Sequence, residues 1–237
     1  FAHGSSLLAN FTWSKLMDDS SSDWGGFWSL DVLGQDFYNR RAEWSVSAGD
    51  VPARLTVAPI YELPFGHGKK WAQSGVASQV IGGWRVAGIY TVSSGYPFGV
   101  TDNAYGYCNA AHTLMNRPNM LGNPLPAGFN QTIQQWFDVS TFDFSGTCPA
   151  QGLVGYPGYD TTKAFGNAPR YFSNIRVPGV QNLDFSVQKD FKLPVGEQTR
   201  LTFRADFYNM PNHPQFGAPV SDPLDPTFGS INYTALN

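Results

Sequence analysis

Apolar and polar residues alternate with a period of two along five stretches of this chain. In segment 7–17, Leu7, Ala9, Phe11, Trp13 and Met17 are apolar, with Lys15 the exception, and Asn10, Thr12 and Ser14 fall between them. Segment 53–65 carries Ala53, Leu55, Val57, Pro59, Tyr61, Leu63 and Phe65 on one face and a mixed Arg54, Thr56, Ala58, Ile60 and Glu62 on the other. Segment 84–98 sets Trp84, Val86, Gly88, Tyr90, Val92, Ser94, Tyr96 and Phe98 against Arg85, Ala87, Ile89, Thr91, Ser93 and Gly95. The last two stretches are the cleanest. Leu183, Phe185, Val187, Phe191 and Leu193 alternate with Asn182, Asp184, Ser186, Gln188, Asp190 and Lys192, and Leu201, Phe203, Ala205 and Phe207 with Arg200, Thr202, Arg204, Asp206 and Tyr208. Such alternation places one row of side chains in an apolar medium and the other in a polar one. It predicts strands near 5–17, 53–65, 83–99, 181–193 and 199–209. No stretch sustains a 3.6-residue period, so little helix is expected.

A soluble β-sandwich alternates too, but two details favour a membrane barrel. These strands are long, whereas a soluble strand usually has ~5–6 residues and a tilted membrane strand needs ~9–11 in the hydrocarbon alone. Aromatic residues also sit at both ends of the apolar rows: Trp84 opens the third and Tyr96 and Phe98 finish it, and Trp13 of the first row is expected to join them in an aromatic girdle. At ~3.3 Å per residue and a tilt near 40°, the steps from Trp84 to Phe98 rise about 30–35 Å, enough for a ~25 Å apolar band and two flanking aromatic girdles. The connections alternate in length as well. Links at 66–83 and 194–198 are short or modest, and those at 18–52, 99–180 and 210–237 are long. Outer-membrane barrels pair short periplasmic turns with long extracellular loops in this way.

Composition narrows the reading further. Charged residues are 14% and aromatics 15% of the 237 residues, against about 25% charged in an ordinary soluble domain. So much aromatic surface excludes a disordered chain. A net charge of −3 with no basic stripe argues against a nucleic-acid partner. No run approaches the ~18–20 apolar residues of a membrane-crossing helix.

Little catalytic chemistry is visible. His3, His67, His112 and His213 are scattered, and none pairs at a metal-ligand spacing. Gly66-His-Gly-Lys-Lys70 lacks the full phosphate-loop spacing and is read as a turn. Asp18, Asp19 and Asp23 lack the glycine and distal Glu of a calcium loop, which suits a solvated acidic loop. No Gly-x-Ser-x-Gly elbow occurs, so neither an enzyme nor a cofactor or metal site is expected. The two cysteines, Cys108 and Cys148, lack CxxC spacing and suit a structural disulfide in an oxidising compartment; two unrelated free thiols are the alternative. The face expected to line a lumen carries Arg54, Glu62, Arg85, Asp184, Arg204 and Asp206, whose charges can pair across strands and hold register. Antiparallel pairing about residue 196 places Asp184 opposite about 208 and Asp190 opposite about 202, leaving the pairing of Arg204 open. The loop at 101–178 is rich in aromatics, Trp136, Phe137, Phe142 and Phe172 among them, which suit either ligand stacking or a packed subdomain.

Several motifs carry a family resemblance. Phe11-Thr-Trp-Ser-Lys15 with Asp18 and Asp19, and Ala53-Arg-Leu-Thr-Val57 with Pro59-Ile-Tyr-Glu-Leu-Pro-Phe-Gly66, resemble strand-and-turn signatures of TonB-dependent outer-membrane receptors. Gly82-Gly-Trp-Arg-Val-Ala-Gly-Ile-Tyr90 with Ser94-Gly-Tyr-Pro97 is similar to that family's next strand. Leu201-Thr-Phe-Arg-Ala-Asp-Phe-Tyr-Asn209, Asn212-His-Pro-Gln-Phe-Gly217 and Phe228-Gly-Ser-Ile231 resemble the stretch before its final strand. The nearest subgroup is the large receptors with an N-terminal carboxypeptidase-regulatory-like domain. The resemblance implies a barrel of about 22 strands with a plugged lumen, taking up a scarce nutrient with energy from an inner-membrane complex. This chain has about five strands, where even the smallest barrel closes with about 8, and it carries no plug. It is therefore expected to be a C-terminal portion of a larger barrel, partnered by membrane lipid and by the remaining barrel and plug or other chains. The alternative is an extracellular or surface-assembly β protein that binds a partner or polymer through its aromatic loops.

Overall fold

The computed structural model describes residues 4–20, 34, 39–100, 117–143, 165–192, 199–223 and 225–236. Five long strands form one sheet: β1 (Ser5–Trp13), β2 (Ala53–Glu62), β3 (Trp84–Ser93), β4 (Val180–Lys192) and β5 (Arg200–Phe207). Their order in the sheet follows the chain. The pairs β2–β3, β3–β4 and β4–β5 are antiparallel, and β1 joins β2, with the Glu62 N–H donating to Gly4 O at 3.2 Å. The sheet is open among the described residues, with β1 and β5 at its edges.

Register turns the alternation of each strand into two continuous faces. Leu55, Val57 and Tyr61 lie opposite Val92, Tyr90 and Val86. Tyr90, Gly88 and Val86 lie opposite Leu183, Phe185 and Val187. Phe185, Val187 and Phe191 lie opposite Phe207, Ala205 and Leu201. Large apolar side chains of this face remain exposed, including Tyr61, Phe191, Leu201, Phe203 and Phe207, and in β1 Phe11 and Trp13. An exposed apolar surface of this extent marks an interface with protein or membrane.

The connection between β2 and β3 contains a short helix, α1 (Gly75–Ile81), the one α-helix among the described residues, in keeping with the little helix expected. Seven residues show barely two helical turns, too few for a 3.6-residue period to stand out. The connection closes by backbone contact: Gly66 takes φ 110°, and a Cβ there would come within 2.8 Å of the Gly82 Cα. The turn expected at 194–198 lies outside the described residues.

The chain divides into two compact units. The sheet belongs to one, made of Phe1–Thr12, Ala53–Ser93 and Val180–His213. The other is built from the three long excursions, Trp13–Pro52, Ser94–Gly179 and Pro214–Asn237. Among the described residues it contains four two-stranded ribbons, including Pro97–Phe98 with Phe172–Arg176 and Asn119–Met120 with Phe142–Asp143, and two short 3-10 turns, Arg40–Glu43 and Val139–Thr141. Its core is aromatic. Phe137 is fully buried, with ring centroids 5.3 Å from Phe98, 5.4 Å from Phe142 and 5.3 Å from Phe228. Ile175 and Val100 complete the buried centre, and the Trp136 indole N–H donates to Arg176 O at 2.6 Å. These aromatics pack a subdomain, the second of the two roles that suited the loop.

This core corrects one expected girdle residue. Phe98 is only 5% exposed and packs on Phe137, so it does not face lipid. Strand β3 ends at Ser93. Beyond it a Cβ on Gly95 would overlap Val177 O, the Val177 N–H donates to Tyr96 O at 2.9 Å, and Pro97 brings no donor of its own. The row that reads as one strand to residue 98 is thus a ten-residue strand followed by a separate bridge. At a tilt near 40°, that strand rises about 23 Å, which matches the hydrocarbon band without a girdle at this end.

Candidate functional site

The polar face of the sheet gathers the charged side chains singled out from sequence. Arg54 lies opposite Ser93, Glu62 opposite Arg85, Asp184 opposite Ile89, Asp206 opposite Ser186 and Arg204 opposite Gln188. Because residues two apart share a face, register places all six on the same side. At the end of the sheet nearest the short connections, Glu62 is the centre of an ion cluster. Its Oε1 accepts from Arg85 Nη2 at 3.2 Å, and its Oε2 accepts from Lys69 Nζ at 2.8 Å. Gly66 and Gly68, at φ 110° and 74°, shape the turn that brings Lys69 back over the strand. Beside this cluster, Asp190 Oδ1 accepts from the Thr202 hydroxyl at 2.8 Å and from Gln188 at 3.4 Å.

Toward the middle of the same face lies a shallow depression of about 270 Å³. Ile60, Ala87 and Ile89 supply its apolar surface, and Asp184, Arg204 and Asp206 are among its charged walls. Arg204 Nε donates to Asp206 Oδ1 at 2.9 Å along its own strand, which answers the pairing left open by the sequence. Asp184 takes no arginine. Its Oδ1 accepts from Asn182 at 2.9 Å and from the Asn209 N–H at 2.9 Å, at the start of the turn after β5. The Asp190–Thr202 register agrees with pairing centred on residue 196. This face can therefore hold polar groups by hydrogen bonds and fix strand register by cross-strand charge. Among the described residues no cluster of three His, Cys, Asp or Glu could hold a metal ion.

The aromatic residues expected at the rims behave differently from one another. Trp13 ends β1 and is 79% exposed, while Tyr96 is exposed beyond the end of β3. Trp84 opens β3, and its indole N–H donates to Val80 O at 3.1 Å, an α1 carbonyl. Cys108 and Cys148 lie outside the described residues, as does Asp23. Asp18 and Asp19, of the acidic cluster, are paired with Arg170 and Arg40.

Sequence reasoning missed two sets of residues. Lys189 occupies the apolar row of β4, between Val187 and Phe191, yet it is only 3% exposed. A charge interrupting an otherwise clean apolar row was the available signal. The second set is a trio of ion pairs in the unit built from the long excursions. Arg117 grips Glu43 with two bonds of 2.6 and 3.0 Å, Arg170 pairs with Asp18, and Arg176 pairs with Asp50 at 2.6 Å. Every acid comes from the first excursion and every arginine from the second. Separations of 74 to 152 residues leave no local signal of this matching.

An open antiparallel sheet of long strands, apolar and exposed on one face and charged on the other, is the form of a membrane β-barrel wall. The chain matches the family described as "outer membrane beta barrel domain" over residues 1–237 and belongs to it. It is an outer-membrane protein of bacteria, and its apolar strand face meets membrane lipid. No curated protein and no solved structure matches it.

Proposed function

We propose that this chain is part of the barrel wall of a TonB-dependent receptor that takes up a scarce nutrient, with no catalysis of its own. The observation that carries the reading is the polar face: the ion cluster of Glu62 with Arg85 on the next strand and Lys69 of the connection, with a mixed depression at Ile60, Ile89, Asp184 and Arg204, suits a lumen filled by a plug. The motifs quoted above support the same family. Among the described residues five strands leave two open edges, which a bilayer does not tolerate, so further strands complete the wall. In this reading the short connections at the ends of β2 and β4 are periplasmic. The excursions, with their own aromatic core, are extracellular.

The test is capture of the native protein from outer membranes solubilised in mild detergent. We expect it to carry plug sequence and to bind the purified periplasmic domain of TonB. Recovery from the outer membrane with neither would overturn uptake while leaving the barrel standing. Release by salt or urea washing without detergent would favour a surface-assembly protein.

A further inference from the structure

We infer that α1 is a lipid-surface anchor, clamped onto the lipid-facing side of the barrel wall by Lys189 and seated on the phospholipids of the inner leaflet. The lipid contact rests on the family. The choice of leaflet rests on the proposed sidedness.

Lys189 stands in the apolar row, opposite Trp84 on β3 and Phe203 on β5. The Trp84 and Phe203 rings meet edge to face, with centroids 6.2 Å apart. The Lys189 ammonium sits 5.3 Å from the Trp84 ring centroid and 4.8 Å from that of Phe191. An ammonium in such a place needs acceptors, and α1 supplies them. Lys189 Nζ donates to Gln79 O at 2.5 Å and to Val80 O at 2.6 Å. These are carbonyls of the last helical turn, where the backbone lacks internal donors and a cation is favoured. Trp84 Nε1 donates to the same Val80 O. With two of its three donors on the helix carbonyls and its charge against two rings, Lys189 acts as a clamp.

The clamp fixes which surface the helix extends. Its carbonyl end abuts Trp84 and Lys189, both in the row that meets lipid. Val76 and Val80, four residues apart on one side of α1, are 76% and 60% exposed, and Ile81 is exposed beside them. Half-buried Ser78 lies on the opposite side of the helix, and exposed Gln79, three residues from Val76, borders the valines. Exposed valines continuing a lipid-facing row, with Gln79 at their edge and Ser78 turned away, suit a helix lying at the membrane interface. Trp84 is the first residue of β3, so the helix sits at the end of the hydrocarbon band rather than within it.

Photocrosslinking in the native outer membrane tests this, with benzoylphenylalanine placed in the full-length protein at position 76, 78 or 80. Positions 76 and 80 should give a phospholipid adduct several-fold more abundant than position 78. The Lys189→Met variant should bring 76 and 80 down toward the level of 78, and Lys189→Arg, which keeps donors for the carbonyls, should restore much of the difference. Equal labelling at all three positions, or adducts to protein at 76 and 80, would overturn the anchor. Unchanged labelling in Lys189→Met would overturn the clamp. A lipopolysaccharide adduct would overturn the inner-leaflet assignment, and the sidedness of the uptake reading with it. If Lys189→Met does not reach the membrane, the comparison of 76, 78 and 80 in the otherwise native chain still decides the lipid contact.

Discussion

At the scale of single residues, charge placement separates two kinds of ion pair. Glu62 and its partners Lys69 and Arg85 keep roughly a third or more of their side-chain surface exposed in the open sheet, and pairs of that kind contribute little to stability by themselves. Arg117 and Glu43 are each 3% exposed, so both charges have left water and each depends on the other. Removing one partner strands a buried charge. Glu43→Ala is therefore expected to cost about 3–5 kcal/mol, read as the denaturant concentration at which the excursions lose protease resistance. Replacing both partners by apolar residues of similar volume should cost much less, since no unpaired charge remains. Equal losses in the single and double variants would show that the site needs its shape rather than its charges. Lys189 and Arg117 share one lesson: a buried cation is stable where acceptors have been arranged for it, and in both cases these come from a distant part of the chain.

At the scale of elements, the strands were legible because alternation is a local property that register only reinforces. Phe185 lies near the middle of β4, opposite Gly88 and Phe207 on the lipid-facing row. Phe185→Arg is expected to cost about 2–4 kcal/mol, as arginine does near a bilayer midplane. Thr56, opposite Thr91 on the polar face, should accept arginine at less than about 1 kcal/mol. Urea titration of the protein reconstituted with its complete barrel measures both, and equal costs would contradict the assignment of faces. Strand ends were less legible. Ser94, Gly95, Tyr96 and Pro97 continue the apolar alternation on paper, but the close approach of Val177 to Gly95 ends the ladder and turns Phe98 into another core. The short α1 was hidden for a related reason, since a helix this brief is held by Lys189 and Trp84 rather than by its own periodicity.

At the scale of the whole molecule, two excursions separated by β2 and β3 meet through three acid–arginine pairs, and one aromatic core draws residues from the second and third. Cys108 and Cys148 belong to the second excursion. We expect them to form a disulfide, which would add about 4 kcal/mol by restricting the unfolded chain. Peptide mass spectrometry of unreduced protein should find the two peptides linked, and alkylation of both thiols without prior reduction would refute the link.

By itself the sequence determined the five strands, the division of each into an apolar and a polar row, the Asp190–Thr202 register and the membrane class. The strands and their two rows follow from a two-residue period, the register from a turn centred on residue 196, and the membrane class from strand length, aromatic placement and the alternation of short and long connections, all legible along the chain. The tertiary structure alone decided that Glu62 gathers Lys69 and Arg85, that Lys189 leaves the lipid row for the carbonyls of α1, and that Phe98 joins an aromatic core. It also matched acids of one excursion to arginines of the next. The reason is physical: burying a charge or an aromatic ring requires partners on several sides, and those partners come from segments that folding brings together.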